Sequence, residues 1–254
     1  MYKRQEIDLS VSSMYGFAAL VFAKLSEPLT PWLTAIIVIL IGMGVGFING
    51  FVRVKTRVPS LIVTLGSMMT LRGIIYFVTG GFTQSIKASS FTKVFGKDVL
   101  EPLWLLIATI IFTILLTRTV YGNRLLATGG NIDTARSLGV KVDRIRISAF
   151  IVSSALAAVA GLISIARLRV ASATHGELME LEAIASAVMG GTLLTGGYGS
   201  VIGSALGGIL ISSLRSGLLL SGAPSYWYVA FLGIILVIAS VINLTVIRKV
   251  MSSS

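Results

Sequence analysis

YGNRLLATGGNIDTARSLGVKVDRIRIS, residues 121–148, is a polar island in an apolar chain. It carries five basic residues, two acids and a Gly-Gly-Asn sequence, with a long hydrophobic run on either side. Asn131 is placed to cap a helix whose first turn holds Asp133, where negative charge suits the positive helix start. The helix continues through Ala135, Arg136 and Leu138 and stops at Gly139, a residue type that favours helix C-termini. Gly129 and Gly130 read as a turn before it. A helix of about two turns is unstable alone, so a connector with punctuation at both ends reads as an element that docks on something.

The rest of the chain explains why such an island matters. Of 254 residues, 55% are hydrophobic and 12% charged, with mean hydropathy +0.92, whereas soluble domains carry about 25% charged residues. Eight apolar runs stand at about 9–25, 32–52, 60–79, 102–117, 147–166, 181–196, 199–220 and 226–247, and a spanning helix needs roughly 20 apolar residues. The expectation is an all-α polytopic membrane protein with about eight transmembrane helices. A β-barrel would show alternating segments of about ten residues, and none is present. The five prolines lie between the runs or at their edges, while glycines crowd into "IGMGVGFING" and "GSVIGSALGGIL", where they let helix backbones approach closely. With no cysteine and one histidine, His175, a metal centre is not expected, and His175 reads as a solvated loop residue.

Net charge of +11 sits in loops and forms no continuous stripe, so it reads as topogenic, with no nucleic-acid partner. Thirteen of the 21 basic residues fall on one side, including Arg53, Lys55, Arg57, those of the quoted island, and Lys3, Arg4, Arg248 and Lys249 at the termini. That side is the cytoplasmic one, and it holds both termini and the loop 121–146. Residues 6–254 read as one transmembrane domain; "MYKRQ" (1–5) has no apolar period or cleavage site and reads as a scar or substitute start.

Glu6-Ile7-Asp8 opens the first run and Glu180-Leu181-Glu182 the sixth, with Ser12/Ser186 and Gly16/Gly190 in register. An odd number of spans separates the two copies, which inverts the second, the pattern of inverted repeats around a central pathway. These acids are read first as groups that favour helix N-termini and second as ligands of an ion or substrate. Arg72 inside "TLRGIIYF" and Asn49 in "GFING" complete the candidates for the translocation path, Arg72 with structural pairing as its preferred role. Segment 79–101, with Phe82, Phe91 and Phe95, reads as an outer interfacial element. Trp32, Trp104 and Trp227 stand near span ends, as interface anchors do. No P-loop pattern is present, and "LLTGGYGSVIG" (193–203) reads as a tight turn between packed helices.

The island resembles the cytoplasmic coupling loop of bacterial ABC importer permeases of the ribose, xylose and arabinose class. "EIDLSVSSM" (6–14), "VPSLIVTLGSMMTLRGIIYFVTGG" (58–81) and "ELMELEAIASAVMGGTLLTGGYGSVIGSALGG" (177–208) resemble that class in the same order. Glu6 and Ser12 stand where the class usually has glycine. Its members generally carry further N-terminal helices, which this chain is expected to lack. The resemblance implies that Asn131 to Gly139 form a coupling helix seated in a cytoplasmic ATP-binding subunit, with Ala135, Arg136, Leu138 and Gly139 nearest the contact. It also implies an extracytoplasmic sugar-binding protein, a second permease copy (in a homo- or heterodimer) and surrounding membrane lipid. The chain itself would be no enzyme and bind no cofactor, ATP being used by the partner. Alternatives are a permease for an autoinducer-like molecule, a nucleoside or a branched-chain amino acid, or an ion-driven secondary transporter.

Overall fold

The computed structural model describes residues 6–97, 100–222 and 224–252. Lys3, Arg4 and the expected substitute start 1–5 lie outside the described residues, as do the side chains of Arg248 and Lys249. The elements are α1 (Val11–Leu25), α2 (Pro31–Thr56), α3 (Ser60–Thr79), β1 (Gln84–Ser85), α4 (Ser90–Phe95), α5 (Glu101–Arg118), α6 (Val120–Gly130) and α7 (Ile132–Ser137). They continue with α8 (Val142–Leu168), β2 (Val170–Ala171), α9 (Met179–Met189), α10 (Val201–Leu220) and α11 (Ser225–Ser252). The chain is an all-α polytopic membrane protein whose only pairing of strands, among the described residues, is Gln84 with Ala171 and Ser85 with Val170.

A helix stands at each of the eight apolar runs, but among the described residues six are long and apolar enough to cross a membrane: α2, α3, α5, α8, α10 and α11. The count of eight full spans is corrected at α1, with 15 residues, and α9, with 11. At 1.5 Å per residue α9 is only about 17 Å long. Each is cut short for a local reason. Residues 6–9 precede α1 as non-helical backbone, and α9 stops before Gly190-Gly191, where Gly191 takes φ +84°.

The structure divides into two compact units, one of Glu6–Leu106 and Asp143–Glu180, the other containing Ile107–Val142 and Leu181 onward. In the first, α1 is the central helix. Met14, Ala18, Ala19 and Phe22 are buried in one cluster with Val38 of α2, Leu71 of α3 and Leu162 of α8. α2 meets α8 along a stripe of small residues, as expected where close approach replaces a hydrophobic drive. A Cβ on Gly42 would sit 2.8 Å from the Ala158 Cβ, one on Gly50 2.8 Å from the Ile147 Cα, and one on Gly46 would collide with the Phe150 carbonyl. Gly44, on the opposite face, has open space. Gly46→Ala is therefore expected to lower stability by about 1–3 kcal/mol through overpacking. Gly44→Ala leaves it unchanged or slightly raised, and thermal unfolding in detergent reads both.

The outer segment departs from an interfacial element. Phe91 is buried in the α1-centred cluster. Phe95 stacks between Phe91 and Trp104, both at 4.7 Å between ring centroids. Only Phe82 stays largely exposed. Ser89 and Thr92 form a reciprocal capping box at the start of α4, which aims Phe91 inward. Trp32 and Trp227 remain about half exposed at the first turns of α2 and α11.

In the second unit, α9 packs on α10 through glycine: Gly203 leaves room for the Gly190 carbonyl and Gly207 for that of Ser186. Ala185, Ile211 and Leu232 bury one apolar cluster there. α5 contributes no buried residue. Its surface, apolar but for Thr109, Thr113 and Thr117 between the charged ends Glu101 and Arg118, suits a lipid-facing span.

Candidate functional site

Two regions concentrate polar chemistry. The first is the island itself, which holds two helices where one was expected. Thr119 caps α6 by accepting from the Gly122 N–H at 3.1 Å, and Gly122 lets the first turn of α6 close onto the Leu115 and Leu116 carbonyls. The expected turn at Gly129-Gly130 is the last turn of α6 instead. These glycines serve close approach: a Cβ on Gly129 would lie 3.0 Å from the Gly197 nitrogen, and Gly196 leaves room for the Gly129 carbonyl. The glycine-rich turn 193–203 thus supports α6. It is closed by Leu193 N–H to Tyr198 O at 3.1 Å and Gly196 N–H to Leu193 O at 3.0 Å, with Gly196 and Gly197 at φ +82° and +87°.

α7 carries the expected punctuation. Asn131 Oδ1 accepts from the N–H groups of Asp133 at 3.0 Å and Thr134 at 3.1 Å. At the other end Gly139 takes φ +78°, its N–H reaches Arg136 O and the Val140 N–H reaches Ala135 O. That pair of bonds is a Schellman motif, which satisfies carbonyls the helix end would leave open. Ala135 is fully buried within the chain, whereas Leu138 is 76% exposed and Asn131, Arg136 and Gly139 are exposed beside it. The placement of Ala135 nearest a partner is therefore corrected: it anchors α7 to its own protein. The outward face is Arg136, Leu138 and Gly139.

The second region surrounds the non-helical stretch 6–10. Its backbone takes hydroxyl partners from α3, with Ile7 N–H donating to Ser60 Oγ at 3.0 Å and Leu9 N–H to Thr64 Oγ1 at 3.1 Å. Such pairing is what permits irregular backbone away from water. Asp8 accepts from the Ser10 N–H and hydroxyl, and its second oxygen accepts from Ser153 Oγ of α8 at 2.9 Å. Asn49, buried on α2, donates to Ser10 Oγ at 3.0 Å. Of the two roles open to Asn49, bonding across elements is the one seen. Glu6 reaches Arg53 of α2 at 2.8 Å with one oxygen and lies 3.3 Å from Arg146 of α8 with the other.

The acids therefore divide. Asp8 organises the start of α1, as a helix-start acid should. Glu6 is corrected to an ion-pair partner of two helices, and Glu182 to a partner of Arg215 at 3.1 Å. The Arg215 guanidinium also lies 5.3 Å from the Tyr228 ring centre. Glu180 sits in the first turn of α9, half-buried. Arg72 donates to the carbonyls of Ala173 at 3.3 Å and His175 at 3.0 Å, a structural pairing on the outer loop. His175 is not simply solvated: its ring stacks on Tyr15 and its Nε2 lies 3.0 Å from Ser164 Oγ.

Sequence reasoning missed Ser60, Thr64, Arg146 and Ser153 as members of the cluster. The spacing of four between Ser60 and Thr64 was a usable sign, since it places both hydroxyls on one helix face. Nothing local marked which backbone they would meet.

The sequence matches, over residues 1–240, the profile of the family described as the permease component of the branched-chain amino acid transport system. It is 32% identical to the xylose transport system permease protein XylH of Escherichia coli (strain K12), over 92% of this chain and 77% of that protein. It is 34% identical to the autoinducer 2 import system permease protein LsrC of Yersinia enterocolitica, over 91% of this chain and 66% of that protein. Against LsrC of Photorhabdus luminescens it is 33% identical, over 88% and 69%. No solved structure matches the chain. Six apolar helices of spanning length, the ordered motifs and these relatives converge: the chain belongs to this permease family, as a multi-pass inner-membrane permease of the monosaccharide-class ABC importers.

Proposed function

We propose that this chain is the pore subunit of an ATP-driven importer for a simple sugar, coupled through α7 to an ATP-binding subunit that hydrolyses the nucleotide. The observation that carries the reading is the build of α7. It is fixed at both ends and by buried Ala135, yet offers Arg136, Leu138 and Gly139 outward. A rigid element of this kind transmits a partner's movement with little loss. The partner ATPase closes on ATP, α7 carries the motion through α6 and the 193–203 turn, and one repeat rocks against the other to alternate access. Each repeat begins with a short helix and continues with two long ones, α1–α2–α3 and α9–α10–α11. A solute-binding protein delivers substrate from outside, and a second permease copy completes the pore. The permease supplies no cofactor chemistry of its own.

The xylose permease relative supports a simple sugar. The autoinducer 2 permease relatives, equally similar, support a small furanosyl-type molecule as the second reading. Vesicles containing the chain with its co-encoded ATPase and binding protein test both. ATP hydrolysis is followed as pentoses, hexoses, autoinducer 2, nucleosides and amino acids are added singly. Stimulation by a pentose or hexose is the expected result; stimulation by autoinducer 2 alone selects the second reading, and stimulation by an amino acid or nucleoside overturns both.

A further inference from the structure

Residues 172–178, between β2 and α9, are held more firmly than a connection requires. Arg72 of α3 donates to two of their carbonyls, those of Ala173 and His175, at 3.3 and 3.0 Å. The His175 imidazole stacks on Tyr15 of α1, with ring centroids 5.0 Å apart and 14° between planes. Its Nε2 lies 3.0 Å from Ser164 Oγ of α8. The absence of a side chain at Gly16 makes room for the His175 carbonyl. Gly176, at φ +80°, lies under the Tyr15 ring: a Cβ there would sit 2.7 Å from Tyr15 Cδ1. Three helices thus converge on the single histidine of the chain.

The charges around that ring are one-sided. α1 presents the Tyr15 ring, α3 the Arg72 guanidinium and α8 the Ser164 hydroxyl. Glu177, the acid of the loop, stands 3.4 Å from the Tyr76 hydroxyl. We propose that His175 is a pH-sensitive latch: as the neutral imidazole it keeps the loop 172–178 docked among α1, α3 and α8, and on protonation it releases the loop. Burial first, and the neighbouring Arg72 second, hold the imidazole below its ordinary range. A released loop has an ordinary histidine and binds the proton more readily. The docked form is therefore fully stable above the ordinary histidine range and loses stability as pH falls from there toward the lowered value. Across that window the ratio of docked to released loop falls by up to about tenfold per pH unit. α8 is long enough to cross the membrane from its own basic start at Arg144 and Arg146 to this loop, and basic residues mark the cytoplasmic side, so the latch reads the pH of the opposite compartment. This goes beyond the transport reading and requires neither substrate nor partner.

The test uses the full chain in lipid nanodiscs, without an added histidine tag, so that ring-labelled histidine gives one carbon resonance to titrate. Deuterium exchange of peptides covering 172–178 is compared at about pH 5 and about pH 7.5, corrected for intrinsic exchange. The resonance is expected to titrate below about 6.5, with protection of the loop falling on the acid side by up to about tenfold per pH unit. His175→Asn keeps a hydrogen-bonding group toward Ser164 but cannot gain a proton, so its protection is expected to be the same at both pH values. Arg72→Gln keeps donors for the two carbonyls and removes the cation, so the titration midpoint is expected to rise. Unchanged wild-type protection across the range, an equal acid-side loss in His175→Asn, or an unmoved midpoint in Arg72→Gln overturns the latch.

Discussion

Leu138→Asp is expected to abolish substrate-stimulated ATP hydrolysis in the reconstituted importer while leaving the permease folded and inserted. Leu138 is 76% exposed, so its own protein gains little from it. Seating a leucine in a partner's groove contributes about 1.5–3 kcal/mol, and an aspartate in its place must also be desolvated. Together these weaken docking by at least about a hundredfold. The variant separates two mechanisms, because an ion-driven carrier would transport unimpaired with aspartate at this position. Size-exclusion profile and thermal unfolding of the isolated permease should match the unsubstituted chain. Stimulated hydrolysis within about twofold of the original would remove α7 from the coupling path.

The second large effect is expected at Glu6. Its carboxylate holds Arg53, whose side chain is 4% exposed, and faces Arg146, so it ties the stretch ahead of α1 to α2 and α8. Glu6→Ala leaves a buried guanidinium without its counter-charge. Breaking one side of such a pair costs about 3–5 kcal/mol, a fall in Tm of roughly 10 °C for a chain of this size. Glu6→Gln, which keeps hydrogen-bond acceptance and loses charge, should fall between the two. A thermal midpoint for Glu6→Ala within about 1 °C of the original would show that Arg53 finds another partner.

How far the sequence could be read depended on the range of the interaction concerned. Ser60–Thr79 matched its apolar run at both ends because Pro59 and Gly80 punctuate it. The Asn131 cap and the Gly139 stop were legible because each acts within three or four residues of itself. The same local reading failed at Gly129-Gly130: glycine pairs mark turns and close helix contacts alike, and the surface that decided between them is Gly196-Gly197. It failed again at Phe91, where a six-residue helix turned an expected interfacial aromatic into the core.

By itself, then, the sequence determined the membrane class, the places of the helices, the short helix capped by Asn131 and the family resemblance. Each rests on hydropathy summed over a span or on caps a few residues long. Only the tertiary structure decided that α1 and α9 are short, that Ala135 faces inward while Leu138 faces out, and that Glu6 and Glu182 serve arginines rather than helix starts. Those outcomes depend on partners far along the chain: Ser60 and Thr64 meet the stretch ahead of α1 across 53 and 55 residues, and Ser153 meets Asp8 across 145. Which hydroxyl or guanidinium reaches a buried carboxylate or an open backbone N–H is settled by how helices cross, and composition alone does not encode a crossing.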